Sequence, residues 1–527
     1  MIIYCAIGCY HDTKSAVPFY LTSDMILQNL LTSTEIISVS GPLNASSMLD
    51  IQGLCFDSRK ASPGFLFFVL SGSHKKGSAF IHNALERGAI AVVTDSNVDE
   101  RSLGGQVPII RVPHARRAMA DMASAFYHFP SQTLAICGVT GTNGKTTTSF
   151  LVHHLCQSNG RACGLIGTIE YLLPGRKQEA LRTTPESIEI QGMLEEMQSG
   201  GFKGVAMEVS SHAIVQERVK GVEFDVAIFT NLTQDHLDYH ESMEAYFDAK
   251  AALFESLPHQ KNKRGRAVIN VDDRYGRLLL ERLGRHSSKI PVITIGQSSG
   301  VDFRATSIEY SSSGTLFCLE ARKKSFLVRS PLIGLFNVYN ALSALASASS
   351  MGLELRRAIK ALETAPQVPG RLQRVEGKKN FQVFIDYAHT PDALENVLRS
   401  LRHLQPGRLV VIFGCGGDRD RGKRPLMAQA AERYADLIIV TTDNPRGEDP
   451  QKIIKEVVKG FRCQKYCCIP DRREAIERTI EQALPYDIIL IAGKGHETYQ
   501  EVAGVRTPFD DGNVARHALQ HVHGWKG

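Results

Sequence analysis

The stretch "GVTGTNGKTTT", residues 138 to 148, spaces glycines, a lysine and hydroxyls so that they can wrap a polyphosphate. Glycines let successive backbone N–H groups turn inward around phosphate oxygens, and a helix beginning just beyond adds its positive end. Lys145 can neutralise a β- or γ-phosphate, and the Thr146 hydroxyl can ligate magnesium. An apolar run "TLAICGVTG" (133–141) precedes the loop and an amphipathic stretch follows, which is the context such a loop requires. The alternative is a glycine-rich turn with a chance Lys-Thr. One detail departs from the generic pattern: Gly138 stands one residue too far before Gly144. The stretch predicts a nucleoside triphosphate site at Gly141, Thr142, Asn143, Gly144, Lys145, Thr146 and Thr147.

Three more stretches carry chemistry. "AMEVSSHA" puts Glu208 at the end of an apolar strand, where a carboxylate can hold the nucleotide's magnesium or cap a helix. "NLTQDHLDYH" (231–240) gathers acids and histidines after another strand, with His236 either a metal ligand or a hydrogen-bonded structural residue. No cysteine lies near, so zinc is disfavoured. In "SMEAYFDAKAALFESL" (242–257) the helical period places Lys250 on one stripe with Phe247, Leu253 and Phe254. A lysine there either snorkels to water or is buried for a reason.

Near the end, "DLIIVTTDNPRGEDP" (436–450) runs a buried strand into turn chemistry, leaving Arg446 on a loop stiffened by Pro445. A guanidinium so placed can grip a planar anion or pair on the surface with Glu448 or Asp449.

The elements that hold these groups alternate between strand and helix from about residue 50 onward, which predicts α/β architecture with mainly parallel sheets. "GFLFFVL" and "AIAVVT" bracket a helical stretch, and "RRAMADMASAFYHFP" predicts a connecting helix. After the polar linker 363–371 the pattern restarts with "FQVFIDYAH", "RLVVIFGCGG", "DLIIVTT" and "YDIILIAGKG". Each of these strands ends in a Gly-, Asp- or His-rich loop, the side of an open sheet where ligands bind. Three domains follow from this: 1–114 with a leader, 115–368 and 369–527. Lys and Arg number 61 against 55 Asp and Glu, a net charge of +6 that demands no nucleic acid. No apolar run reaches the roughly 18 residues of a membrane span, and the N-terminus lacks a basic region before its apolar run. The first 24 residues read as a leader, or as an over-long start with Met25 the initiator. Eleven cysteines without paired spacing read as reduced thiols.

The loop with Gly138 at its displaced position resembles the phosphate loop of the Mur ligases, bacterial ATP-dependent enzymes that build the peptide of peptidoglycan precursors. The resemblance extends from about residue 50 to the end and implies three α/β domains: uridine-binding, central P-loop ATPase, and a Rossmann-like domain for the incoming amino acid. It implies ATP as co-substrate, two Mg2+ ions ligated by Thr146, Glu208, His236 and Lys250, and a carbamylated Lys250. It implies nucleotide contacts at Asn337, Arg371, Asp386 and His389, in "GLFNVYNALSA", "VPGRLQRV" and "DYAHTPDAL". From "FDSRKASPGFLFFVLSG", "TTPES" and "MEVSSHAIVQERV", Ser58, Thr183, Thr184, Ser210, Gln216 and Arg218 are implied to hold the UDP-muramoyl dipeptide.

Together with "GCGGDRDRGKRPLM" and "AGKGHE", the D-N-P-R loop implies an enzyme that adds meso-diaminopimelate to UDP-N-acetylmuramoyl-L-alanyl-D-glutamate. Arg419, Asp443, Asn444, Pro445, Arg446, Gly493 and Glu497 would surround that amino acid. The reaction would pass through an acyl phosphate in the bacterial cytoplasm, catalysed by a monomer with small-molecule partners. Lys76 stands where the family commonly carries an acid, and the leader has no counterpart. Three other readings remain: the same ligase using lysine or another diamino acid, an enzyme like folylpolyglutamate synthase, and a nucleotide-binding protein without catalysis. The last two fit the first-domain motif, the D-N-P-R loop and the set Lys145, Glu208 and Lys250 less well.

Overall fold

The computed structural model describes residues 25–41, 48–70, 77–96, 107–285, 290–377 and 379–521. The leader 1–24 and Lys76 lie outside them. The chain divides into two compact units, one ending at His128 and one beginning at Phe129.

In the first unit, five strands form one sheet in the order Ser38–Ser40, Ile109–Arg111, Ala89–Thr94, Phe65–Val69, Gly53–Cys55. All neighbours are parallel except the Ser38–Ser40 edge. The central strands are near-continuous runs of Phe, Val, Leu and Ala, as both faces of a parallel sheet are covered. The helix Ala115–Phe126 packs within this unit, its first N–H donating to Asp95 Oδ2 at 3.0 Å. Ser58 is buried at the start of a short turn capped by Asp57.

The second unit carries two larger sheets. The core of the first is parallel, in the order Cys163–Ile166, Gly204–Glu208, Ala135–Thr140, Val226–Phe229, Arg266–Asn270, Val292–Gly296. Antiparallel strands extend it at both edges, to Arg176–Glu179 on one side and Lys324–Ser330 on the other. The strand before the phosphate loop is therefore central, with Glu208 registered beside Val139 and Phe229 beside Thr140. Groups at the ends of both neighbours consequently meet at the loop. The loop helix Lys145–Ser158 packs against Leu335–Ser350, whose buried residues are mostly Ala and Ser and so permit close approach.

The other sheet has the order Gln373–Val375, Gln382–Asp386, Ile488–Ala492, Leu409–Phe413, Leu437–Val440, Tyr466–Cys468, parallel throughout save the first pair. The run between the two sheets is pinned at Gly370, with φ +64, where an added Cβ would stand 2.2 Å from His496 N. Two strand ends are tied by Arg472, which is fully buried with its partner Asp511 (Nη2–Oδ2 2.7 Å). Its guanidinium also donates to Thr442 O at 3.3 Å and Ala492 O at 3.0 Å. Removing one member of a buried pair strands the other's charge. Asp511→Ala is expected to destabilise the second unit by about 3–5 kcal/mol, read from its denaturant midpoint. A shift under about 1 kcal/mol would show that the pair holds nothing.

Candidate functional site

The phosphate loop leaves its strand at Gly141 (φ +145) and enters its helix through Gly144 (φ +86). Only glycine fits the second position without displacement, because a Cβ there would lie 2.4 Å from Asn340 Oδ1. Lys145 Nζ donates to Gly141 O at 2.9 Å and Thr142 O at 2.8 Å. Lys250 Nζ donates to the same Gly141 oxygen at 2.9 Å. Two lysines thus share one carbonyl.

Lys250 is 1% exposed, which rules out snorkelling. Burial, reinforced by the Lys145 charge, holds its amine well below the usual lysine value. Burial lowers Lys145 too, with Glu208 and Asp235 acting the other way. Tyr246, one turn before Lys250, places its ring under the amine (4.5 Å to the centroid) and its hydroxyl 3.2 Å from Thr142 Oγ1.

Glu208 ends its strand fully buried. Its carboxylate accepts from the Thr146 hydroxyl at 3.1 Å, from Thr168 N at 2.8 Å and from the Thr168 hydroxyl at 2.9 Å. Arg371 Nη2 donates to Thr146 Oγ1 at 3.2 Å. Thr146 and Glu208 present the hard oxygens that magnesium takes alongside water and phosphate. His236, at φ +53, lies with its Nε2 3.4 Å from Asp235 Oδ2. Burial pushes the Asp235 carboxyl up, but electrostatic interaction with His236, His389 and Lys145, together with the His236 backbone N–H, outweighs it and leaves it below its ordinary value. Among the described residues no three His, Cys, Asp or Glu side chains are grouped to hold a metal on their own. A magnesium ion completed by phosphate oxygens suits this arrangement; zinc does not.

Two cavities open beside the loop. The first, about 330 Å³, is lined by Asn143, Gly144, Thr147, Asn340, Arg371 and Asp386 among others. Burial pushes the Asp386 carboxyl up to about 6 against the pull of Arg371. The second, about 780 Å³, has Thr183, Thr184, Ser210, Arg218 and His236 on one side. Arg419, Asp443, Asn444, Arg446, Gly493 and Glu497 lie on the other. Tyr387, His389 and Asp392 line both cavities. His389 Nδ1 is 2.8 Å from Tyr387 O, and burial, then the Lys423 charge, lowers the imidazole below its ordinary value.

In the second cavity Gly493 (φ +114) leaves room for Asp443 Oδ2, which a Cβ would approach to 2.5 Å. Asn444 Nδ2 donates to Glu497 Oε2 at 2.8 Å, and buried Lys494 donates to Glu497 Oε2 and Asn444 Oδ1, both at 3.2 Å. Burial, then the charge of Asp443, raises the Glu497 carboxyl. Arg446 Nη1 donates to Gly417 O at 2.7 Å. Glu448 pairs instead with Arg424 and Arg421, and Asp449 caps a helix. Arg446 forms no ion pair with the described residues, which removes its reading as a surface partner of those acids.

Three expected residues stand apart. Gln216 reaches the second cavity only through Arg218, whose Nη2 donates to its Oε1 at 2.6 Å. Pro445 is buried within its loop. Asn337 turns inward, donating to Ile333 O at 2.9 Å and accepting from Asn340 Nδ2 at 2.9 Å. Asn340, one turn later, lines the first cavity, and Asn337 lies behind it as its hydrogen-bond partner. The sequence reading also passed over Asp392, whose Oδ2 accepts from Asn143 Nδ2 at 3.1 Å. It stands inside the "DYAHTPDAL" stretch, at the first turn of a helix capped by Thr390.

Family models match three segments of the chain. Residues 50–127 match the "Mur ligase family, catalytic domain". Residues 139–348 match the "Mur ligase middle domain", and 370–495 the "Mur ligase, glutamate ligase domain". A relative from Geobacillus thermodenitrificans, a UDP-N-acetylmuramoyl-L-alanyl-D-glutamate–2,6-diaminopimelate ligase, is 45% identical over 89% of this chain and 95% of its own. A solved structure of a ligase with that same name is 35% identical, with a TM-score of 0.68 over 94% of this chain and 99% of its own. A folylpolyglutamate synthase of Mycobacterium tuberculosis, solved with ADP and AMPPCP, is 18% identical with a TM-score of 0.58. It covers 70% of this chain and 91% of its own, and shares the fold.

Gly144→Ala forces a side chain into the left-handed region and against Asn340. Titration with a fluorescent ATP analogue is expected to find affinity at least about tenfold weaker with the fold intact. Unchanged affinity would place the nucleotide elsewhere.

Proposed function

The chain belongs to the Mur ligase family, and we propose that the two joined cavities of its second unit carry out ATP-dependent amide synthesis. It is a ligase that adds meso-diaminopimelate to UDP-N-acetylmuramoyl-L-alanyl-D-glutamate in peptidoglycan precursor synthesis. The observation that supports the mechanism is that Tyr387, His389 and Asp392 line both cavities, so a phosphate on the loop and an amine in the second cavity would meet there.

ATP lies in the first cavity with its phosphates on the loop amides and Lys145, flanked by Arg371 and Asn340. Asp386, bonded by Leu372 N and Ala388 N, shapes the cavity wall. The dipeptide's D-glutamate carboxylate, held on the side of Thr183, Thr184, Ser210 and Arg218, attacks the γ-phosphorus in line. The bond to ADP breaks and an acyl phosphate forms. The diaminopimelate amine, having lost its proton, attacks the acyl carbon; the C–N bond forms and phosphate departs. Such transfer depends on positioning and charge neutralisation rather than on a nucleophilic side chain. Thr146 and Glu208 suit one magnesium ion, and His236 with a carbamylated Lys250 would suit a second; magnesium supplies neutralisation of phosphate charge. Ser58 is assigned to the UDP moiety.

Lys250 supports the carbamate reading through its surroundings. Burial, then the Lys145 charge, lowers the pKa of this amine and so favours its neutral form, which is the one that adds carbon dioxide, losing a proton as the N–C bond forms. The product is an anion, which converts a repulsive pair of lysines on Gly141 O into an attractive one.

The far end of diaminopimelate is a zwitterion, and the second cavity offers its complement. Arg446 takes the carboxylate, and Glu497 with Asp443 takes the ammonium. A lysine acceptor would leave Arg446 without its anion, a difference worth about 10⁴ in discrimination. The described residues contain no helix long and apolar enough to cross a membrane, and the substrates are those of the cytoplasm.

With ATP, magnesium and the UDP-dipeptide, purified protein is expected to ligate meso-diaminopimelate and leave L-lysine nearly untouched. Arg446→Ala should cost at least about 100-fold in kcat/KM for diaminopimelate. Equal use of lysine by the wild type would refute this account of Arg446. Separately, Lys250→Arg, which keeps the charge but cannot be carbamylated, should lose at least about 100-fold in kcat. Wild-type rates should fall when bicarbonate is stripped and recover on its return; full activity in Lys250→Arg would end the carbamate reading.

A further inference from the structure

The hairpin Tyr499–Val502/Val505–Pro508 forms its own two-stranded sheet and lines neither cavity. Its first strand nevertheless lies along the loop 443–446. Gln500 Nε2 donates to Asp443 O at 2.8 Å and to Thr442 Oγ1 at 3.0 Å. Glu501 N donates to Asn444 Oδ1 at 2.9 Å. Arg446 N donates to Glu501 O at 3.0 Å, and Ala503 N donates to Arg446 O at 2.7 Å, so Arg446 is clamped on both sides of its own Cα.

The clamp has something to hold. Arg446 sits at φ +50, a left-handed conformation that a long side chain adopts only where its surroundings over-determine it. That backbone turn sends Nη1 to Gly417 O, and Gly416 makes room, since a Cβ there would come within 2.9 Å of Nη1. Among these ties, Gln500 supplies the side-chain bonds at the loop's first residues, while the bonds at Arg446 run between backbones.

We propose that Gln500 is a positioning residue for acceptor choice: it locks the hairpin onto the loop and so fixes the Arg446 guanidinium where the acceptor's distal carboxylate arrives. This rests on the assignment of Arg446 given above. Because Gln500 touches neither cavity, its effect on the acceptor must pass through the loop.

The test uses the full chain and three substrates varied in turn, with Tm measured for each protein. Gln500→Ala and the near-isosteric Gln500→Glu, whose carboxylate has no N–H for Asp443 O, are compared with the wild type. Both are expected to raise KM for diaminopimelate about tenfold and to narrow the preference over lysine. KM for ATP and for the UDP-dipeptide should stay within about twofold, and kcat within about threefold. Arg506→Ala alters the same hairpin at an exposed side chain that meets Glu501 (3.0 Å) and the Tyr499 ring (4.4 Å). It should leave the diaminopimelate KM unchanged. An unchanged diaminopimelate KM in both Gln500 variants overturns the proposal. So does a common rise in all three KM values with a lowered Tm, or an equal effect from Arg506→Ala. A wild-type chain that ignores diaminopimelate would instead refute the functional reading, and would do so before any variant is compared.

Discussion

One carbonyl oxygen, that of Gly141, receives both Lys145 and Lys250. Two ammonium groups on a single acceptor repel each other strongly in a buried setting, so the loop is stable only with one amine neutral or with negative charge close by. Much of the surrounding structure answers that constraint. Glu208 is brought in at the end of one neighbouring strand, and Asp235 follows the other. Tyr246 covers the Lys250 amine with the face of its ring. A site that concentrates positive charge around a glycine turn is also one whose preferred guests are polyanions, so the same electrostatics that strain the loop define its ligand.

Parallel strand order does the rest of the positioning. Because the loop strand is flanked on both sides, three chain segments far apart in sequence deliver groups to one spot without any long loop. The second sheet of the same unit repeats the device. Its strand ends deliver Asp386, Gly414, Asp443 and Gly493, and the buried Arg472 keeps two of those ends in register by bonding Thr442 O and Ala492 O. The residues of this sheet that line the second cavity are thereby mounted on its strand ends, with only the loop 443–446 left to be shaped locally.

The sequence was most informative where a residue type conflicted with its surroundings. Lys250 on an apolar stripe and Arg446 after a strand both stood out from local pattern, and both occupy special places in the fold. The phosphate loop was legible for the same reason, since Gly141 and Gly144 stand between a strand and a helix. What escaped was set by tertiary packing. Asn337 and Asn340 share one helix and differ by a single turn, and the packing of that helix, with Gly144 close to Asn340, decides which of them faces the cavity. The antiparallel edge strands of the large sheet and the hairpin after Glu497 are partly exposed and mixed in composition, so they carry little periodic signal. The helix Ala115–Phe126 read as a connector because its Pro130 stop was visible and its packing partners were not.

Gly370 has a consequence beyond the turn it makes. Its peptide rests against Gly495 and His496, just before Glu497 of the second cavity, and the next residue, Arg371, reaches the hydroxyl of Thr146 in the phosphate loop. Neighbouring residues of one backbone cannot shift independently. Occupancy of either cavity that displaces this short segment must therefore bias the other, and thermodynamic reciprocity makes the bias equal in both directions. On that footing any coupling between the two cavities would run through one peptide bond, a property of the chain's connectivity rather than of any contact between bound molecules.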